Sequence, residues 1–275
     1  MSDMLSESGC YELIAESSSP YTGRFRPTQH AASVWGLEVQ HGGPVAGLLT
    51  RAMDRLAPRQ GSRISRISVD IFGAIPMSPV TVTAWIERPG QRVELLMSEM
   101  RAVTPDGQER LLARGAAWRL ATRATAHVAY RSDSSIVTGD PDSTKLDWPA
   151  AWRIGFAASL EAQLINVVGV RGDPTTAWLR MTQPLVVGEE MSYLESAVTI
   201  SDVANGIGAR LDPVDWTFVN TDLVLHFFEE PQGWWLGIAA ETSIGVDGIG
   251  MSAATMHSET GVIGRLAQNV LIQPR

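Results

Sequence analysis

Residues 42–56 read GGPVAGLLTRAMDRL, and what surrounds them decides the fold. Gly42, Gly43 and Pro44 open a helix, with proline in the first turn, where no N–H is needed. Val45, Leu48, Leu49, Ala52, Met53 and Leu56 fall on one stripe at helical spacing, and Pro58 and Gly61 close it. Strand-like stretches follow at 64–75, 80–87, 93–103 and 110–120. The last three are separated by the turn phrases Pro89-Gly90 and Pro105-Asp106-Gly107.

The same order recurs further on. A strand-like stretch at 176–181 precedes a helix from about 191 to 205, and strands are expected at 218–228, 234–243, 249–257 and 264–272. Asp247-Gly248 is a turn dipeptide, and Glu259-Thr260-Gly261 parallels Pro105-Asp106-Gly107. Each half enters its first strand after the helix through a similar phrase, Ser68-Val-Asp70 and Asn220-Thr-Asp222, and ends on a strand carrying Arg114 or Arg265. One helix followed by an antiparallel meander is an α+β pattern, with a curved sheet wrapped around the helix. The stretch 122–145, TRATAHVAYRSDSSIVTGDPDSTK, is rich in Ser, Thr and Asp without steady periodicity, and reads as a connection. The expected organisation is therefore one unit over 1–121, a linker over 122–147 and a second unit over 148–275.

Composition narrows the function. The chain has 275 residues, enough to bury roughly three quarters of its unfolded surface without staples. Its 22 basic and 30 acidic residues give a formal charge of -8, which argues against a nucleic-acid partner. Cys10 is the single cysteine, so neither an intrachain disulfide nor a thiolate metal cluster can form. The opening MSDMLSESGC lacks a basic n-region and an apolar h-region, and no run approaches about 18 apolar residues. A soluble, cytoplasmic protein that does not span a membrane is expected. There is no GxGxxG after a strand, no GxxxxGK[ST] and no GxSxG, and the five histidines show no metal-binding spacing. No cofactor and no metal are expected. Trp152, Trp178, Trp216, Trp234 and Trp235 read as core and interface anchors.

Polar residues on apolar faces carry the remaining information, because burying one unpartnered costs about 1–3 kcal/mol. Met191, Leu194, Val198 and Asp202 share one helical stripe, which puts a carboxylate where an apolar side chain belongs. It is either a structural Asp satisfying nearby backbone amides or a functional one. Gln268 is in phase with Leu266, Val270 and Ile272 on the last strand, and its counterpart in the first half, counted from Arg114 against Arg265, is Ala117. Strict alternation places Thr221 with Val219, Leu223, Leu225 and Phe227, and leaves Asn220, Asp222 and His226 on the opposite face. An Asp, a Thr and a Gln converging on the helix side of one sheet would make a water-activating pocket. His41-Gly42-Gly43 is either a routine helix start or a place where backbone N–H groups polarise a carbonyl or hold a phosphate.

The phrases QHGGPVAGLLTRAM (40–53), SDVANGIG (201–208), FVNTDLVLH (218–226) and GRLAQNVLIQPR (264–275), in this order, resemble the bacterial type II acyl-CoA thioesterase-like family. The resemblance covers essentially the whole chain and is weakest in the first thirty residues and the linker. It implies a double hotdog: two fused folds, each an antiparallel sheet wrapped around a central helix. It also implies hydrolysis of acyl-CoA to a carboxylic acid and CoA without metal or covalent intermediate. The family's Asp, Thr or Ser, and Gln carry over as catalytic Asp202, Thr221 and Gln268, with Asn220 as the fallback for the hydroxyl, since this chain reads Asn220-Thr221-Asp222 where relatives often show Ser/Thr-x-Asp-His. His41, Gly42, Gly43 and Asn220 are the substrate-binding candidates. Hotdog proteins commonly pair sheets edge to edge, so a homodimer of double-hotdog chains is expected. The alternatives are a non-catalytic acyl-CoA or lipophilic-ligand binder on the same scaffold, a hydratase or dehydratase, which would want a His beside the Asp that SDVANGIG does not offer, and an assembly module.

Overall fold

The computed structural model describes residues 7–18, 21–103, 107–136, 150–165 and 174–275. Of the stretch read as the linker, residues 137–147 lie outside the described residues.

The chain opens with β1 (Tyr11–Ser18), β2 (Tyr21–Pro27), β3 (Ala32–Ser33) and β4 (Gly36–Gln40), and then enters α1 (Gly42–Arg55). The meander β5 (Ser62–Ile71), β6 (Val80–Arg88), β7 (Val93–Val103) and β8 (Glu109–Ala121) follows. The second half runs through β9 (Leu160–Leu164), β10 (Thr175–Met181), α2 (Tyr193–Ser201) and α3 (Ala204–Ile207). It ends with β11 (Trp216–Asn220), β12 (Asp222–Phe227), β13 (Leu236–Ile244), β14 (Ile249–Ser258) and β15 (Gly261–Pro274). The strand expected at 176–181 is β10, whereas β1 to β4 and β9 were not legible as such, because their polar and apolar residues give only short, irregular alternation.

Among the described residues the main sheet runs β1-β2-β6-β7-β8-β5-β12-β15-β14-β13-β10-β9, with β11 also on β15. Read from its centre outward, the order is the same on both sides: β5, β8, β7, β6, β2, β1 matches β12, β15, β14, β13, β10, β9. The halves join where β5 pairs antiparallel with β12, Asp70 opposite Asp222 and Arg66 opposite His226. The similar phrases that follow each helix are thus the strands that fuse the two sheets into one.

Each half wraps its sheet around its own helix, and the helices lie antiparallel against each other. The first residues of α1 meet the end of α2 at Asp202, while Asp54 near the end of α1 meets Ser192 at the start of α2. Close approach explains the glycines of α1: a Cβ on Gly43 would lie 2.5 Å from the Thr199 carbonyl oxygen, and one on Gly47 2.0 Å from Thr199 Oγ1. With sheet on one side and α2 on the other, even Arg51 of α1 is buried. Its guanidinium is satisfied by a bidentate pair of 2.9 Å bonds to Glu189 and a 3.0 Å bond to Glu16. At the C-terminal end of α1, Arg119 bonds the carbonyls of Met53 (3.2 Å) and Leu56 (2.7 Å), acceptors that the last turn of a helix leaves short of partners.

Helix α2 begins at a capping box: Ser192 Oγ accepts from the Glu195 N–H at 3.1 Å, and Glu195 Oε2 accepts from the Ser192 N–H at 3.2 Å. The single helix expected over 191–205 is in fact two pieces. The reason lies on β15: Gln268 Oε1 accepts from the Asn205 N–H at 3.1 Å, and its Nε2 donates to the Asp202 carbonyl at 3.1 Å. A side chain of the sheet takes backbone groups that a continuous helix would pair internally, and α2 stops at Asp202. The architecture is a double hotdog.

Candidate active site

Asp202 caps the C-terminal end of α2 and is 2% exposed. Its Oδ1 accepts two amide hydrogens, from Asn220 Nδ2 at 2.7 Å and from Gln268 Nε2 at 3.2 Å. A carboxylate oxygen only accepts, so both amides must present nitrogen to it, which fixes their orientation. Gln268 is 1% exposed, and both ends of its amide are engaged, so it sets the place of Asp202 from behind. Asp202 Oδ2 points the other way and lies 3.0 Å from His41 Nδ1, on the residue that caps α1. Gly42 leaves the space for this: a Cβ there would stand 2.7 Å from Oδ2.

Asp202, Asn220, His41 and Gly42 line a cavity of about 320 Å3. The rest of its wall is largely apolar. Trp35, Trp152 and Phe218 meet edge to face, with ring centroids 5.9, 5.0 and 5.6 Å apart. Trp152 Nε1 is buried without a hydrogen-bond partner among the described residues. Val34, Ile71 and Ile75 complete the apolar surface. The aromatic wall was not foreseen: Trp152 read as a core anchor, and only its orphan N–H marks it as something more.

The sequence reading placed three catalytic side chains together, and the structure brings together two, Asp202 and Gln268. Thr221 lines the same cavity but does not reach the carboxylate. It is exposed at the rim, and its hydroxyl faces Asn269 Nδ2 at 3.4 Å, not the carboxylate. Strict alternation fails at this residue because the strand is interrupted between β11 and β12. The Thr221 N–H bonds the Asn269 carbonyl at 3.0 Å, and the Asn269 N–H turns to Asp222 Oδ1 at 2.7 Å. The interruption shifts the phase, so Phe218 and Asn220 face inward on β11 while Leu223, Leu225 and Phe227 do so on β12. Asn220, read by alternation as lying on the opposite face, therefore reaches Asp202, and Val219 is exposed. His41 and Gly42 line the cavity beside them, and Gly43 forms the next residue of the helix start.

The opposite end of the helix pair is a useful contrast. Asp54 faces Ser192 Oγ at 3.3 Å, and burial raises its carboxyl above the ordinary value. Among the described residues only the Asp202 end carries the pair of amide donors. Among the described residues no cluster of three or more His, Cys, Asp or Glu side chains could hold a metal, and no helix is long and apolar enough to cross a membrane.

Residues 31–128 match the acyl-CoA thioesterase N-terminal domain, and residues 139–272 match the acyl-CoA thioesterase C-terminal domain. No functionally curated protein matches the sequence. Similar solved structures include a hotdog-fold protein of unknown function from Alicyclobacillus acidocaldarius, at 14% identity and a TM-score of 0.72, covering 94% of this chain and 96% of that one. A tesB protein from Mycobacterium avium subsp. paratuberculosis superposes with a TM-score of 0.69 at 15% identity, over 96% of each chain. Acyl-CoA thioesterase II TesB2 from Mycobacterium marinum gives 0.65 at 11% identity, over 96% of this chain and 95% of its own. At such identities these structures speak for the fold, while the two domain matches, in order and over most of the sequence, speak for descent. The chain belongs to the acyl-CoA thioesterase family.

Proposed function

We propose that the cavity hydrolyses an acyl-CoA thioester with a water activated by Asp202. The observation that carries this reading is the asymmetry of the carboxylate. Oδ1 is anchored by two amides, whereas Oδ2 is turned to the start of α1 and the cavity. Asn220 commits its nitrogen to Asp202 and to the Asp222 carbonyl at 3.3 Å, so its oxygen is left for other partners. A water that donates one hydrogen to Asp202 Oδ2 and the other to Asn220 Oδ1 would turn its lone pairs to a thioester carbon in the cavity. As the C–O bond forms, the water proton passes to Asp202 and the carbonyl electron pair moves to oxygen. Backbone N–H groups at the positive end of α1 stabilise that oxyanion. Collapse breaks the C–S bond, the electron pair leaves with sulfur, and the proton held by Asp202 returns to the thiolate. Gln268 holds the base and touches no substrate. The apolar, aromatic wall takes the acyl group. Release of free thiol from acyl-CoAs, absent in Asp202→Asn, tests the reading; equal release by that variant contradicts it.

One observation favours a second reading, addition or elimination of water at an acyl thioester. The sequence offered no His near Asp202, yet the fold delivers His41 to 3.0 Å. Loss of enoyl absorbance from a 2-enoyl-CoA without thiol release selects this reading.

We also propose that the chain acts in the cytoplasm, in lipid metabolism, as a dimer. Val219, Leu271 and Ile249 lie in one row across β11, β15 and β14, all exposed, and a second copy would cover them. Sedimentation at a mass near 29.8 kDa contradicts a dimer.

A further inference from the structure

Asp202 touches three side chains that differ in one respect. Asn220 and Gln268 are amides, which donate to Oδ1 and neither gain nor lose a proton near neutral pH. His41, on Oδ2, is an imidazole, whose ring nitrogens can either donate or accept. It comes from the other half of the chain, and among the described residues it is the one basic side chain paired with this carboxylate.

Its Nδ1 is also over-committed. It lies 3.0 Å from Asp202 Oδ2 and 3.1 Å from the backbone nitrogen of Gly43. An imidazole nitrogen carries either a hydrogen or one in-plane lone pair, so it cannot donate to the first and accept from the second together. An ionised Oδ2 only accepts, and the contact then requires the hydrogen on Nδ1. In that tautomer the Gly43 N–H loses its acceptor.

We propose that His41 is a positioning residue that acts through Asp202. With its hydrogen on Nδ1 it holds Oδ2 as an acceptor aimed at the water. The inference rests on the hydrolytic reading above. Other titratable groups around the pair are engaged elsewhere: Asp222 accepts from the Asn269 backbone at 2.7 Å, and His30 Nδ1 meets Ser159 Oγ at 2.8 Å.

The test compares kcat and KM for thiol release by the wild type, Asp202→Asn, His41→Ala and His41→Asn, with the melting temperature of each. Asn at this position is a good helix cap and keeps an N–H near the place of Nδ1, but it cannot change protonation. His41→Ala is expected to lower kcat about a hundredfold, with KM changed less than about threefold. His41→Asn is expected to recover at least about tenfold of that loss. A folded His41→Ala with wild-type kcat overturns the proposal, as do Ala and Asn variants that are equally slow. Should His41→Ala not fold, His41→Asn alone decides, with a kcat within about tenfold of wild type expected and a greater loss overturning the proposal. Thiol release by the wild type and not by Asp202→Asn establishes hydrolysis independently of His41, and its absence sinks that reading instead.

Discussion

Replacing Gly42 by alanine tests the site with a single methyl group. The new Cβ would stand 2.7 Å from Asp202 Oδ2 and 3.0 Å from Oδ1. Ordinary carbon–oxygen contact lies roughly half an ångström further out, so the carboxylate must retreat by about that much. It cannot do so alone. Oδ1 is bound at 2.7 Å to Asn220 and at 3.2 Å to Gln268, and Oδ2 meets His41 at 3.0 Å. The shift lengthens one or more of these contacts and displaces the base from the water. A misplacement of up to ~1 Å costs about tenfold to a hundredfold in rate, and kcat is expected to fall by that factor. The fold, by contrast, has little to lose, because alanine is the better helix former by about 1 kcal/mol and Gly42 already begins α1. Thiol release together with thermal melting gives both quantities. A variant with wild-type kcat, or one whose melting temperature collapses, refutes the claim that Gly42 serves the carboxylate and not the helix.

Other outcomes follow from the same geometry. Asn220→Ala is expected to lower kcat about tenfold or more, while Thr221→Ala changes it by less than about threefold; the reverse ranking in steady-state kinetics contradicts the inward placement of Asn220. Gly47→Ala drives a Cβ to 2.0 Å from buried Thr199 Oγ1 and should lower the unfolding free energy by about 1–3 kcal/mol, read by chemical denaturation; an unchanged value contradicts the close packing of α1 on α2. Burial pushes the Glu195 carboxyl from 4.5 up to about 7, partly offset by Arg55. The folded chain keeps a proton that the unfolded chain releases between those values, so this group's contribution falls as pH rises from 4.5 to about 7. That interval corresponds to at most about 3 kcal/mol. Glu195→Gln keeps the capping box and should stabilise the chain by up to that amount near pH ~8 and by little near pH ~4. Equal denaturation shifts at the two pH values contradict the raised carboxyl.

Much of this molecule is legible in its sequence, and the reasons are local. The stripe from Val45 to Met53 and the meander after it obey simple periods, so α1 and β5 to β8 could be placed within a few residues. Asp202 and Gln268 betray themselves as polar side chains in phase with apolar ones, and they are found in contact because burial forces such groups to pair. Thr221 turns from the carboxylate for a tertiary reason. The break in alternation is made by Asn269, on a strand far along the chain, and nothing in FVNTDLVLH announces it. The end of α2 was hidden in the same way, since Gln268 intercepts its backbone groups from β15. His41 and Asp202 belong to different halves, and their contact exists only once β5 and β12 have fused the two sheets.

The central claim is that Asp202 activates water against a thioester. Free-thiol release should be measured with short, medium, long and aromatic acyl-CoAs, using wild-type protein and Asp202→Asn matched for melting temperature. Turnover of at least one thioester by the wild type, reduced about a hundredfold or more in the variant, is the predicted result. Turnover that survives in Asp202→Asn, or tight acyl-CoA binding with no thiol released by the wild type, would contradict it.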